Sequence, residues 1–145
     1  MFKKILVPSD GSTQAHKAAE VAADLAKSQD AQIVGIYVID PFPFIGIGDA
    51  SAVGLQAYMS EAQAAAGKSL SMIREMCEAR GVACVGDTIE RSTAYEGILE
   101  TADAEGCDLI VMGSHGRKGI QALILGSVAQ KVLTHAKVPV LIIKG

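Results

Sequence analysis

The chain has 145 residues, half of them apolar and a fifth charged, with a net charge of −3, the composition of one globular domain that buries roughly two-thirds of its unfolded surface. Six aromatic residues and no Trp mean that the core is built from Ile, Leu, Val and Ala. Mild acidity (pI about 5.5) and the lack of a basic stripe with interleaved aromatics argue against a nucleic-acid partner.

Taken in order, Lys3–Val7 (KKILV) is a short apolar run stopped by Pro8 and reads as a strand. Ser12 or Thr13 can cap a helix over Gln14–Ser28, whose Ala15, Ala18, Ala19, Ala22, Leu25 and Ala26 share one face. Gln32–Ile39 (QIVGIYVI) is nearly all apolar, as in a strand covered on both faces. Asp40–Gly54, with two Pro and three Gly, reads as a long loop. Its Phe42, Phe44, Ile45 and Ile47 suit either a lid over a ligand or a partner surface. Leu55–Arg80 carries a helical stripe of Leu55, Met59, Ala62, Ala66, Leu70, Ile73 and Cys77, closed by Gly81 at the C′ position. Val82–Ile89 is strand-like. Thr93-x-x-Glu96 has the form of a capping box that opens a helix running to Glu105. Asp108–Met112 (DLIVM) is a buried-type strand, Ser127–His135 a helix, and Val138–Ile143 (VPVLII) a last strand. Alternating strands and helices predict a single doubly wound α/β domain over residues 1–145: a five-stranded parallel sheet, order 3-2-1-4-5, with helices on both faces. Pro139 cannot donate to a central ladder, so the last strand belongs at a sheet edge, where pairing with a second copy would give a two-fold dimer.

Nothing in the chain approaches the ~18 continuous apolar residues of a membrane helix. The apolar run in MFKKILVPSD is also too short for a signal peptide. Three cysteines without a CxxC pair, Cys77, Cys84 and Cys107, fit a reducing cytoplasm. They read as inert thiols in or beside core elements.

Two stretches carry phosphate-loop residues. The first, AQAAAGKS (Ala62–Ser69), ends like a Walker loop, but it lies inside the long helical stripe rather than after a strand. Mid-helix amides already serve the i−4 carbonyls, so it is a decoy, with Lys68 and Ser69 on a solvated helix surface. The second, MGSHGRKGIQALILGSV (Met112–Val128), starts at the carboxyl end of a strand. Gly113 and Gly116 bracket Ser114-His115, and after nine residues Gly126-Ser127 opens a helix. The Gly126, Ser127 and Val128 amides lack intrahelical partners and carry the positive helix end, an anion site that needs no Lys. His115 can donate to a phosphate, and Arg117 and Lys118 add positive potential. With the strand order above, the crevice opens between the strands ending at Pro8 and Met112, and Pro8, Val38 and Met112 offer an apolar slot for a flat ring.

Gly113-x-x-Gly116, nine residues, then Gly126-Ser127 resembles the nucleotide motif of the universal stress protein family, as do the opening KKILVPSDGS and the closing VPVLIIKG. The resemblance spans essentially the whole chain. Similarity to the ATP-binding branch implies ATP, or ADP or AMP, in this crevice, with Mg²⁺ as a possible companion. It carries over Pro8, Asp10, Val38, Met112, Gly113, His115, Gly116, Gly126, Ser127 and Val128 as contacts, to which the positive Arg117 is added. It also implies a homodimer, with higher oligomers open. Asp10 has a second reading, as a cap of the first helix. The leading function is a regulatory adenine-nucleotide sensor that acts through assembly or contacts with a client protein. A slow ATPase or autophosphorylating enzyme with Asp10, His115 and Ser127 at the phosphates is an alternative, and a nucleotide-free interaction module is another. His16 and His135 are assigned no chemistry, His135 being placed at a helix C-terminal dipole.

Overall fold

The computed structural model describes residues 1–41, 52–116 and 125–145. Its elements are β1 (Lys4–Ser9), α1 (Thr13–Gln29), β2 (Gln32–Ile39), α2 (Ala52–Arg80), β3 (Cys84–Glu90), α3 (Ala94–Glu105), β4 (Leu109–Gly113), α4 (Ser127–His135) and β5 (Val140–Ile143). All pairings are parallel, and the strand order is β3-β2-β1-β4-β5. The doubly wound reading therefore holds, order included.

Successive side chains of each strand go to opposite faces, and the two faces have separate cores. Ile5, Val7, Ile33, Leu109 and Val111 meet the alanine stripe of α1 together with Ile73 and Cys77 of α2. Leu6, Val34, Ile36, Ile110 and Met112 meet Ile98 and Ala102 of α3 and Ala129 and Val132 of α4. Small Ala side chains on α1 bring that helix close to the sheet, consistent with a core that holds almost no aromatic residues. Of the stripe expected on α2, Ala66, Ile73 and Cys77 are buried, while Leu55, Met59, Ala62 and Leu70 are half-buried.

Several boundaries differ from the sequence reading, each for a physical reason. β1 runs through Pro8 to Ser9 rather than stopping before it. Lys3 O accepts from Gln32 N and Lys4 O from Asp108 N, both at 2.9 Å, so even-numbered residues of β1 turn their backbone groups toward β4. The donor that Pro8 lacks is therefore missing only on the β4 side. β4 starts at Leu109 because Asp108 is a cap: its carboxylate accepts from the Lys3 and Lys4 amides at 2.9–3.2 Å. β5 starts after Pro139, at a sheet edge as expected. α2 begins at Ala52, so Gly54, read as loop, is helical; residues 42–51, including Phe42, Phe44, Ile45 and Ile47, lie outside the described residues. The Thr93 side chain makes no cap hydrogen bond, so the capping box is not formed, although Glu96 stands in the first turn of α3. Ser12 does cap α1, accepting from Ala15 N at 3.1 Å.

Candidate functional site

The carboxyl edge of the sheet opens at its centre. β1 stays in register with β2 over six residue pairs, through Ser9↔Tyr37. With β4 it keeps only two, ending at Leu6↔Ile110. The two strands separate just where Pro8 removes a rung from that side of the ladder. This is the switch point of the fold, where β1 sends its connection to one face and β4 to the other. Pro8, Val38 and Met112 follow Leu6, Ile36 and Ile110 by two residues and so share their face. Pro8 and Met112 are buried and Val38 is half-buried.

The end of β4 is fastened from three directions. Ser114 N donates to Ile143 O at 3.0 Å, continuing the β5 ladder, and Ser114 O accepts from Gly126 N at 2.8 Å. From α1, Gln14 Oε1 accepts from the His115 amide at 2.9 Å and from Ser114 Oγ at 3.1 Å. Ser114 Oγ also lies 3.1 Å from His115 Nδ1. Ser114 is 6% exposed, the one buried polar side chain among the described residues, and these bonds satisfy it.

Two glycines stand at points of close approach, and at Gly126 the neighbour is backbone. A Cβ on Gly126 would stand 2.8 Å from Ser114 O and 3.3 Å from His115 Cα. A Cβ on Gly116 would overlap the Asp10 carboxylate, so Asp10 and the Gly113–Gly116 turn are neighbours. Asp10 shapes the β1–α1 turn, with Oδ1 accepting from Ser12 N at 2.9 Å, and its carbonyl accepts from the Tyr37 hydroxyl at 3.3 Å. Asp10 thus neighbours the glycine turn and shapes the β1–α1 turn, but the cap of α1 is Ser12, which corrects the reading of Asp10 as that cap.

Gly126 is the N-cap of α4, in extended conformation with φ −63° and ψ 156°. Its amide is engaged by Ser114, which corrects the expectation of three unpaired amides. Among the described residues the Ser127 and Val128 amides have no backbone acceptor. Both residues are exposed at the positive end of the helix. Pro8, Asp10, Met112, Gly113, His115, Gly116, Gly126, Ser127 and Val128 are therefore gathered around the β1–β4 opening, with Val38 one strand away. Arg117 and Lys118 lie outside the described residues.

The sequence reading missed Gln14 and Tyr37. Gln14 had a signal: it falls four residues before Ala18 and continues the buried Ala18–Ala22–Ala26 row. A polar residue on an apolar stripe needs a partner. The Walker-like segment is mid-helix as argued. Gly67 and Lys68 are exposed, but Ser69 is half-buried: its hydroxyl would be 3.3 Å from a Cβ on Gly11, so it faces the β1–α1 turn rather than solvent. His16 sits 3.8 Å from Glu20. His135, in the last turn of α4, stacks on Tyr95 with ring centroids 5.7 Å apart. A separate cavity of about 400 Å³, lined by Leu99, Asp103, Cys107, His135 and Val138 among others, lies at the opposite, amino edge of the sheet and shares no residue with the crevice. Among the described residues no cluster of His, Cys, Asp and Glu could hold a metal ion, and no helix is long and apolar enough to cross a membrane.

A parallel sheet wound on both sides, with a glycine-lined opening at its switch point, defines a doubly wound α/β protein of the kind that takes ligands at strand carboxyl ends. More particularly, the chain belongs to the universal stress protein family, whose sequence model matches residues 1–144. It is 39% identical over 145 residues to universal stress protein MJ0531 of Methanocaldococcus jannaschii, covering 99% of this chain and 83% of that one. The structure of protein MJ0577 of the same organism superposes with a TM-score of 0.84 at 26% identity, covering 100% and 97% of the two chains. A universal stress protein from Archaeoglobus fulgidus, solved in complex with dAMP, shares the fold at 21% identity with a TM-score of 0.66, covering 99% and 98%.

Proposed function

We propose that this universal stress protein binds an adenine nucleotide, ATP or its products ADP and AMP, in the β1–β4 crevice and serves as a regulatory sensor rather than a fast enzyme. The base and ribose take the apolar side formed by Pro8, Val38 and Met112, next to Asp10. The phosphates take the turn Gly113–Gly116 with His115, together with the amides of Ser127 and Val128 behind Gly126. Arg117 adds positive charge. The observation that carries this reading is the separation of β1 from β4 beside a helix N-terminus held within 2.8 Å of the Gly113–Gly116 turn by the Gly126–Ser114 bond. Backbone amides and a helix dipole held in place before a ligand arrives are what an anion needs. The dAMP complex of a relative with the same fold supports an adenylate as the ligand class. Mg²⁺, where present, would be held mainly by the phosphate oxygens, since no metal-ligand cluster exists among the described residues.

Nucleotide occupancy is read out through assembly. β5 is one of the two edge strands, with Leu141 39% exposed and Leu133 of α4 50% exposed nearby in the chain order. An unpaired apolar edge is stable when it meets a second copy antiparallel, giving a two-fold dimer. Three free cysteines fit the cytoplasm as the working compartment.

The deciding experiment is denaturation of the purified protein with identification of released nucleotide, followed by melting curves of the nucleotide-free chain with ATP, ADP and AMP. Ligand at ~100 times its dissociation constant adds about 2.7 kcal/mol of stability. No released nucleotide and no shift with any of the three overturns the reading.

A further inference from the structure

The cavity at the amino edge of the sheet is separate from the nucleotide crevice, and its lining has a chemistry of its own. It lies between the C-terminal ends of α3 and α4, and its volume of about 400 Å³ falls within the range of about 300–1,000 Å³ usual for small-molecule sites. Leu99, Ala102, Ile110 and Val138 supply its apolar wall. Ala102 and Ile110 are core residues, whereas Leu99 and Val138 are only half-buried. A ligand with an apolar body would cover the surface they leave exposed.

Four acidic and basic side chains line the same cavity: Glu100, Asp103, His135 and Lys137. Two of them already have partners. Glu100 is ion-paired with Arg91. His135 stacks on Tyr95, and Lys131 Nζ stands 5.2 Å from the centroid of that same ring. Asp103 and Lys137 differ from these. They carry opposite charges, yet neither enters an ion pair, with each other or with any other described residue. Asp103 also stands in the last turn of α3, which contains no basic residue, so its carboxylate adds to the negative end of the helix. Lys4 Nζ reaches that end of α3 but donates to the Glu105 carbonyl, at 2.9 Å.

We propose that this cavity binds a free α-amino acid with an apolar side chain, of about the size of leucine or phenylalanine. The ammonium group meets Asp103 at the negative end of α3, the carboxylate meets Lys137, and the side chain lies on Leu99, Ala102, Ile110 and Val138. A zwitterion is the ligand class that satisfies two unlike charges which do not satisfy each other. An acid alone leaves Asp103 uncompensated, and an amine alone leaves Lys137 so. The apolar wall lowers the local dielectric and strengthens both pairs. The site shares no residue with the β1–β4 crevice and needs no nucleotide.

The test is a ¹H–¹⁵N NMR titration of the full chain with L-leucine and L-phenylalanine. Three controls accompany it: isoamylamine, which is leucine without its carboxylate; 4-methylpentanoate, which is leucine without its amine; and L-serine, which lacks the apolar side chain. The expected result is saturable shifts at the Gly106, Cys107 and Val138 amides with either apolar amino acid, and binding at least ~tenfold weaker for each control. Asp103→Asn and Lys137→Gln, both at exposed positions, should each weaken leucine binding by roughly tenfold and leave the ligand-free melting curve unchanged. Absence of saturable shifts with both amino acids at millimolar concentration would overturn the proposal. So would equal affinity for the amine or the acid alone, or leucine binding that neither substitution weakens.

Discussion

Gly67-Lys68-Ser69 and Gly126-Ser127 use nearly the same residues for opposite ends. In α2 the Gly-Lys-Ser amides sit in the middle of a 29-residue helix, where each faces a carbonyl one turn back. At α4 the glycine is the last residue before the helix, and the two residues after it have no turn behind them. Letters alone favour the first segment, since it has the lysine. The second suits an anion in the reading proposed above because the Ser127 and Val128 amides lack backbone acceptors among the described residues and because Gly126 holds them against the end of β4. The difference teaches that a phosphate motif is a statement about unpaired backbone groups, and residue types matter only as far as they leave those groups unpaired.

Substitutions can break or sharpen this contrast. The largest effect is expected from Gly126→Val. Its side chain meets Ser114 O and His115, so α4 must move away from the turn, and the roughly 2.7 kcal/mol of nucleotide stabilisation at ~100-fold excess should vanish from the melting curve. An unchanged ligand shift would show that the phosphates are held elsewhere. Gln14→Ala comes next. It removes the acceptor of the partly buried His115 amide and one of the two partners of the Ser114 hydroxyl, which should cost about 1–3 kcal/mol in urea unfolding and weaken nucleotide binding through a looser turn. A stability equal to wild type would mean that Gln14 is a bystander. Ser12→Ala removes a formed N-cap and should lose ~1 kcal/mol; Thr93→Ala, where no side-chain cap bond exists, should lose measurably less in the same assay. At the small end, Gly67→Ala has no atom within 4 Å of the new methyl. It should gain roughly 0.5–1 kcal/mol from the helix interior alone and leave nucleotide affinity untouched, as should Lys68→Ala. A loss of affinity in either would restore the Walker-like segment as a site.

Much of the architecture was legible in the chain because its signals are local and repeated. Runs such as QIVGIYVI and DLIVM, alternating with alanine- and leucine-striped helices, admit few arrangements other than a parallel sheet covered on both faces. Pro139 pointed to an edge strand, and β5 is one. Where reading failed, a residue's local preference was overridden by what it met in three dimensions. Pro8 was taken as a strand end, yet the ladder it interrupts is only the one toward β4. Thr93 and Glu96 spell a capping box that does not form. Ser69 was given to solvent and instead faces the β1–α1 turn. The Gly126 amide counts among the unpaired ones in the sequence, but the carbonyl that takes it belongs to Ser114, twelve residues earlier.

By itself, then, the chain determined which segments are strands and helices, which faces are apolar and which glycines flank the crevice, because these follow from periodicity and from the conformations each residue allows. Only the tertiary structure decided that β1 and β4 part after Leu6 and Ile110 and that Gln14 holds the turn at Ser114 and His115. Those contacts join residues from different elements, and no local preference encodes the distance between elements until both cores have packed against the sheet.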